Sequence, residues 1–218
     1  MIILDIETTG LTHYCGICEI GAINLDNPND YFLQDCRIDK VDIVKEEALK
    51  VNGRTREQLY NVNKQPQKQM IENYLNWVNK QSEKMFCGQN VVWDISMIQA
   101  RCMKYNLRDK FIEIHGQRGM DLHTLAQKKY KEINGKYLLK ENGMSAMSLS
   151  RILEFCGMID DRINVTGNKI IKKGKFHNAM EDCRLEGEAL CGIEFGKNLF
   201  PEYLKFKIPD YLKNDNLQ

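Results

Sequence analysis

The sequence has no long hydrophobic run and no excess of charge of either sign. Asp5 and Glu7 interrupt the apolar residues that follow Met1, and no apolar stretch of about 18 residues occurs later in the chain. We therefore expect neither a signal peptide nor a transmembrane helix. Lys and Arg number 31 and Asp and Glu number 30 among 218 residues, which gives a net charge of +1. Binding to nucleic acid through overall charge is thus excluded, and such a site would need a local arrangement of charge.

A loop-rich disulfide framework is also missing. The eight cysteines lie in apparent core segments, so we expect reduced thiols and a cytoplasmic location. Cys15 and Cys18 form a Cys-x-x-Cys, which can be redox-active or half of a zinc site. No second pair follows at zinc-finger spacing and Cys18 lies within a predicted strand, so structural thiols are favoured. Stoichiometric zinc in the purified protein would overturn this interpretation.

The remaining composition is typical of a folded globule, with 43% hydrophobic and 28% charged residues. Apolar, β-rich segments at 2–6, 17–25 and 31–38 predict three strands, and turn residues at 26–30 favour an antiparallel meander. Downstream, periodicity predicts helices near 70–78, 94–105, 121–131, 147–156 and 178–191, and a short strand at 85–87. This order predicts an α/β fold, in which a mixed sheet of three antiparallel strands and then parallel strands is flanked by helices.

Three segments do not fit this alternation. Residues 132–147 form a polar connection, and residues 160–176 contain a basic, hairpin-like loop at 167–175. The last part of the chain is too apolar for a free tail, because Phe200, Tyr203, Phe206 and Tyr211 stand among its lysines. We expect a domain at 1–195 and a C-terminal extension at 196–218. The extension would dock on that domain, on a second copy of the chain or on a partner such as a polymerase.

Two acidic residues stand on the first predicted strand. Asp5 and Glu7 are two positions apart, so their side chains point to the same face of the sheet. A buried carboxylate is costly unless it is paired or bound to a metal, and a second like charge nearby adds to the cost. The pair therefore favours a bound cation. The alternative is a frayed strand end at which both acids contact water.

Two further acids stand near predicted helix starts. Asp94 falls in the first turn of a helix, where the helix dipole favours an acid whatever its function. Asp182 lies about one turn into the last long helix, and His177 precedes that helix. A histidine in this position can be a solvated or capping residue, but histidine is also the side chain best suited to move a proton near neutral pH. Each of these signals is weak alone.

Together, their order and spacing resemble the three motifs of the DnaQ-like 3′-5′ exonucleases of the DEDDh type. The motifs here are Asp5-x-Glu7-Thr8-Thr9-Gly10, Asn90-x-x-x-Asp94 and His177-x-x-x-x-Asp182. Segments 17–22 and 47–53 are similar to that family's second strand and to the segment after its third strand. The resemblance spans residues 1 to about 192. It departs from the family at Gln89, where His is frequent, and at Trp93, where Phe is usual.

The resemblance implies a ribonuclease-H-like fold and a metal-dependent nuclease. Asp5, Glu7, Asp94 and Asp182 would be ligands of two divalent cations, Mg²⁺ or Mn²⁺, and His177 would be the general base. The implied activity is 3′-5′ exonuclease hydrolysis at single-stranded 3′ ends of DNA or RNA, with release of 5′-mononucleotides. The residues expected at the terminal nucleotide are Thr8, Thr9, Gly10, Leu11 and Asn90.

Several alternatives stay open at this point. Leu11 could wedge against the last base or be an ordinary core residue. Lys169, Lys172, Lys173 and Lys175 could contact backbone phosphates or belong to a solvated hairpin. A protein of this fold could also bind nucleic acid or a protein without cutting, although the presence of all four acids and the histidine argues against that. The motifs distinguish neither DNA from RNA nor one cellular pathway from another.

Overall fold

The central layer of the molecule is a five-stranded mixed sheet. In the computed structural model, β1 (Ile2–Thr8), β2 (Ile17–Asn24) and β3 (Tyr31–Asp35) pair antiparallel. β4 (Phe86–Gly88) pairs in parallel with β1, and β5 (Gly119–Asp121) pairs in parallel with β4. The strand order is therefore β3-β2-β1-β4-β5. The apolar strand β1 lies in the middle, where both of its faces are covered, and the predicted mixed sheet is confirmed.

The structure describes residues 1–167 and 169–213. Residue 168 of the predicted basic loop and residues 214–218 of the predicted extension lie outside the described residues. Within the described ranges the helices are α1 (Glu46–Asn52), α2 (Arg56–Leu59), α3 (Gln67–Lys80), α4 (Val91–Lys104), α5 (Arg108–Ile114), α6 (Leu122–Asn134), α7 (Leu149–Phe155) and α8 (Ala179–Phe195). None of them is both long and apolar enough to cross a membrane.

The predicted helices correspond to α3, α4, α6, α7 and α8, so each of these predictions is confirmed. The sequence reasoning missed α1, α2, α5 and β5. All four are short, with seven residues or fewer, and too few turns or alternations fall within them for a period to show. For α2 a capping box at Thr55 and Gln58 was an available signal.

Side chains alternate along β1 and divide the core into two layers. Ile2, Leu4 and Ile6 pack on one face with α3 and α4, whereas Ile3 packs on the other face with α8. Asp5 and Glu7 share the face of Ile3, so they point toward α8. Gly21 lets the start of α8 approach β2, because a Cβ at this position would lie 2.6 Å from the carbonyl carbon of Ala179.

Two segments outside the sheet complete the fold. The basic loop forms an antiparallel hairpin of β6 (Asn164–Thr166) and β7 (Lys169–Lys172), as its turn residues predicted. In the described part of the extension, Phe200, Ile208 and Leu212 are buried in the core layer of α8, with 3₁₀ helices at Pro201–Tyr203 and Asp210–Leu212. This part therefore packs on its own chain. The division into two units, a polymerase partner, self-association and a cytoplasmic location all stay predictions.

Candidate active site

Acidic side chains gather where β1 and β4 end. Asp5 and Glu7 lie on β1, and Asp94 lies in the first turn of α4, directly after β4. Asp182 lies in the first turn of α8, which crosses the face of β1 that carries the two acids. The negative charges of Asp182 and Asp94 both act on Asp5. The four acids predicted from the sequence therefore lie together at one edge of the sheet.

The cluster is costly in its ionised form. Burial, together with the charges of Asp182 and Asp94, raises the pKa of Asp5 well above its usual value. Burial and Asp182 raise the pKa of Glu7 to about 8. Burial also raises the pKa of Asp94, although the backbone N–H groups of Asp94 itself and of Ile6 hydrogen-bond its carboxylate. Such a group of carboxylates takes up either protons or cations near neutral pH.

A fifth carboxylate, which was not predicted, lies beneath the four. Glu186 is one turn beyond Asp182 on α8 and only 1% exposed. Its Oε1 accepts a hydrogen bond of 3.1 Å from the backbone N–H of Gln89, and its Oε2 has no hydrogen-bond partner within the described residues. Burial and the charge of Asp94 raise the pKa of Glu186. The i, i+4 spacing from Asp182 was the sequence signal that could have found it.

His177 contacts the acidic cluster through one ring nitrogen. Its Nδ1 lies 3.2 Å from Asp182 Oδ2, and its Nε2 lies 3.1 Å from the carbonyl oxygen of Ile163. Burial lowers the pKa of His177, but the hydrogen bond to Asp182 and the negative charge of Asp182 together outweigh that effect and leave the pKa above 6.5. The Ile163 carbonyl and the ionised Asp182 carboxylate both only accept, so the two contacts favour the doubly protonated ring, in agreement with the raised pKa. Nδ1 is the ring nitrogen that faces the acids.

Arg162 is a second residue that the sequence reasoning missed. It precedes β6 and is 5% exposed. Its Nη1 lies 3.0 Å from Asp182 Oδ1, while its Nε and Nη2 lie 3.0 and 3.1 Å from the two carboxylate oxygens of Asp160. Ser150 Oγ donates to the same Asp160 at 2.5 Å. Nothing in the sequence distinguished this arginine from the lysines of the basic loop, because its role depends on contacts with α7 and α8.

A cavity of about 470 Å³ opens beside the acids. Glu7, Thr8, Gly10 and Leu11 line it, with α1 and Trp93 among the residues opposite. Leu11 is 81% exposed, so it is not a core residue. Its backbone carbonyl accepts a hydrogen bond from Trp93 Nε1 at 3.4 Å. Three of the five residues predicted at the terminal nucleotide, Thr8, Gly10 and Leu11, therefore face one cavity.

Thr9 and Asn90 do not line this cavity. The hydroxyl of the fully buried Thr9 donates to the Ile43 carbonyl at 2.6 Å and accepts from the Gly16 N–H at 2.8 Å. The Thr9 side chain therefore holds neighbouring loops together, and a place for Thr9 at the terminal nucleotide stays a prediction. Asn90 is exposed and has a positive φ of 61° just before α4. Its backbone N–H donates to Asp121 Oδ1 at 3.2 Å.

The cysteines take no part in the site. All eight are buried and free, and Cys18 Sγ donates to the backbone carbonyl of Glu7 at 3.2 Å. Burial raises the pKa of Cys18 to about 12, which opposes both redox chemistry and zinc binding through a thiolate. Within the described residues, the group of three ligand side chains that could hold a metal is Glu7, His177 and Asp182. The interpretation of the thiols as structural is supported.

The donor set fits a divalent cation such as Mg²⁺ or Mn²⁺. One ligand atom each from Glu7, His177 and Asp182 lies within 4.8 Å of the others. Carboxylate oxygens are the ligands that these hard cations prefer. A cation would also offset the charge of the unpartnered Glu186 Oε2 and of the acids whose pKa values are raised.

Comparison with known proteins places this geometry in context. A family model named RNase_T and described as an exonuclease matches residues 2–148. A comparison with curated proteins finds no match. Among solved structures, the cell-death related nuclease 4 (CRN-4) superposes with a TM-score of 0.59 at 15% identity, covering 87% of this chain and 61% of that one.

Two further solved structures have a similar fold. Exonuclease I of E. coli, in complex with a dT13 oligonucleotide, has a TM-score of 0.61 at 16% identity over 88% of this chain and 40% of its own. The nuclease domain of 3′hExo, a DEDDh family member bound to rAMP, has a TM-score of 0.59 at 13% identity, covering 96% of this chain and 95% of its own. The predicted ribonuclease-H-like fold is thereby confirmed. The chain spans less than two thirds of CRN-4 and of Exonuclease I.

Proposed function

The chain belongs to the DnaQ-like 3′-5′ exonuclease family of nuclease hydrolases, and from this premise we propose that it removes nucleotides from single-stranded 3′ ends of DNA or RNA as 5′-mononucleotides. The observation that carries the proposal is the position of the acids. Glu7 belongs both to the carboxylate cluster and to the wall of the cavity that Thr8, Gly10 and Leu11 line. A terminal nucleotide in that cavity would place its phosphate at the cluster.

In this proposal Asp5, Glu7, Asp94 and Asp182 hold two Mg²⁺ or Mn²⁺ ions, which when bound would activate water and stabilise the leaving 3′ oxygen. His177 accepts the proton of the attacking water at Nδ1, the nitrogen that faces the acids. Its Nε2–H keeps donating to the Ile163 carbonyl. Asp182 then stabilises the imidazolium, because its Oδ2 lies 3.2 Å from Nδ1.

The cavity would bind the terminal nucleotide chiefly through shape. Leu11 and Trp93 offer an apolar rim for the last base, and Gly10 lines the same cavity. Asn90 stands at the start of α4 and would contact the substrate from outside the cavity. These contacts do not depend on the net charge of the protein, which is only +1.

The test is a time course with single-stranded DNA and RNA of one sequence, labelled at the 5′ end in one set and at the 3′ end in another. The reactions contain Mg²⁺, Mn²⁺ or EDTA, and Asp5→Asn serves as a near-isosteric control. We expect 5′-labelled strands to shorten stepwise and the 3′ label to leave at once as a mononucleotide, with neither event in EDTA or with the variant.

Internal cuts or loss of the 5′ label first would contradict the proposed polarity. Intact strands with the folded wild-type protein, together with a shifted band in a binding gel, would favour the non-catalytic binding module. The ratio of the DNA and RNA rates gives the sugar preference.

A further inference from the structure

Arg162 lies inside the acidic cluster although it belongs to a segment outside the sheet. Its Nη1 is 3.0 Å from Asp182 Oδ1, on the opposite carboxylate oxygen from the one that faces His177. The guanidinium is nearly inaccessible to solvent. One positive charge of the protein therefore already occupies a carboxylate that the proposed function assigns to a divalent cation.

The surrounding contacts hold this guanidinium in place. Asp160 accepts two of its hydrogen bonds and is itself fixed by Ser150 at the start of α7. The backbone of Arg162 bridges to that of Lys175. Gly174 makes this approach possible, since a Cβ there would lie 2.6 Å from the carbonyl carbon of Arg162. The contacts at the base of the β6–β7 hairpin thus hold the Arg162 side chain in one position.

We propose that Arg162 is the resident counter-charge of the acidic cluster, which pairs with Asp182 and thereby weakens the affinity of the cluster for a divalent cation. The inference rests on the proposed function, which makes Asp182 a cation ligand. Two like charges a few Å apart repel strongly when both are shielded from water, so a cation at Asp182 has to be bound against the charge of Arg162. Asp160 keeps the arginine from leaving, because its carboxylate would otherwise be buried without a positively charged partner.

Binding of Mn²⁺ alone to the full chain, measured by titration calorimetry without nucleic acid, tests this directly. Arg162→Gln removes the charge, and Arg162→Lys retains it. A double variant, Asp160→Asn with Arg162→Gln, avoids leaving Asp160 unpaired and serves if the single variant does not fold. Arg101→Gln is the matched control, because Arg101 is equally buried but lies outside the acidic cluster. Its Nη1 pairs with Asp42 Oδ1 at a distance of 2.7 Å.

We expect the Mn²⁺ dissociation constant to fall about tenfold or more in Arg162→Gln and in the double variant, and to stay at the wild-type value in Arg162→Lys and Arg101→Gln. Unchanged or weaker binding in a folded variant without the charge would overturn the proposal. So would the absence of Mn²⁺ binding in all variants, which would also contradict the proposed metal site. Tighter binding in a protein that digests no nucleic acid would support the role of Arg162 while refuting the exonuclease.

Discussion

Stability of the cation-free protein should fall as the pH rises from about 6.5 to about 8, which is unusual for a protein with a near-neutral net charge. Burial raises the pKa of Glu7 from 4.5 in the unfolded chain to about 8 in the folded one. The folded state therefore binds this proton more tightly. Its contribution to stability is complete below pH 4.5 and is lost as the pH rises toward 8.

The expected size follows from this shift. Each pKa unit corresponds to about 1.4 kcal/mol, so Glu7 alone lowers the free energy of unfolding by about 2 kcal/mol between pH 6.5 and pH 8. The pKa values of Asp5, Asp94 and Glu186 are raised by the same burial, and each adds a change of the same sign. The raised pKa of His177 adds a further loss above 6.5.

Groups of the opposite sign act below about pH 6.5. Burial raises the pKa of Asp160, but hydrogen bonds from Arg162 and Ser150 outweigh it and leave the pKa below 3.8. The stability that Asp160 contributes is present above pH 3.8 and is lost only in stronger acid. The same holds for Asp35 and Asp39, whose pKa values are lowered by Lys64 and Lys104 against the effect of burial. Burial lowers the pKa of His115 to about 4, so this residue destabilises the fold below pH 6.5, and that loss disappears as the pH rises to 6.5. A range of about pH 6.5 to 8 therefore isolates the acidic cluster.

The assay is urea unfolding in EDTA at several pH values across this range, repeated with Mn²⁺ in excess. We expect the decline to be shallower in Glu7→Gln, which carries no titrating proton, and largely abolished by Mn²⁺. A free energy of unfolding that is constant or rises with pH in EDTA would refute the reasoning, since it would mean that the folded cluster binds no extra protons.

Three further predictions concern activity and substrate binding. His177→Ala should lower the turnover rate about 10²- to 10⁴-fold. Wild-type activity should rise with pH through a value above 6.5, since the raised pKa keeps the base protonated below it, and identical pH profiles for the wild type and the variant in steady-state assays would contradict this role. Leu11→Ala should raise the KM several-fold and leave the melting temperature unchanged, because the side chain is exposed; a lower melting temperature would contradict its place on the rim. Among the described residues Lys169 and Lys173 form no ion pair. Replacing both by Gln should therefore make the slope of the logarithm of the binding constant against the logarithm of the salt concentration shallower, by about 0.7 for each phosphate that a lysine no longer neutralises on a single strand. Lys175→Gln is the control, because Lys175 already pairs with Asp161 and Glu181.

Much of the fold was predictable because β1 carries its information locally. Its apolar residues indicate a central strand, and the two-residue spacing of Asp5 and Glu7 places both acids on one face. The first turns of α4 and α8 fix Asp94 and Asp182 in a similar way. The parallel pairing of β1 with β4 then brings these separate segments to one edge of the sheet.

The parts that the sequence reasoning missed depend on contacts between distant segments. Arg162 reaches Asp182 only because Gly174 and Asp160 set the base of the hairpin. Glu186 is buried only because α8 packs closely on the sheet, and Thr9 turns inward because Gly16 and Ile43 lie beside it. Apart from the i, i+4 spacing of Asp182 and Glu186, residue type and spacing carry no record of these neighbours.

The most direct test of the central claim is the fate of water oxygen during digestion. Single-stranded DNA or RNA is digested in water enriched in heavy oxygen with Mg²⁺ or Mn²⁺, and the products are weighed by mass spectrometry. Hydrolysis by an activated water predicts one heavy oxygen in the phosphate of each released 5′-mononucleotide and none in the shortened strand. Products without heavy oxygen, or products that carry a 3′-phosphate, would contradict the account.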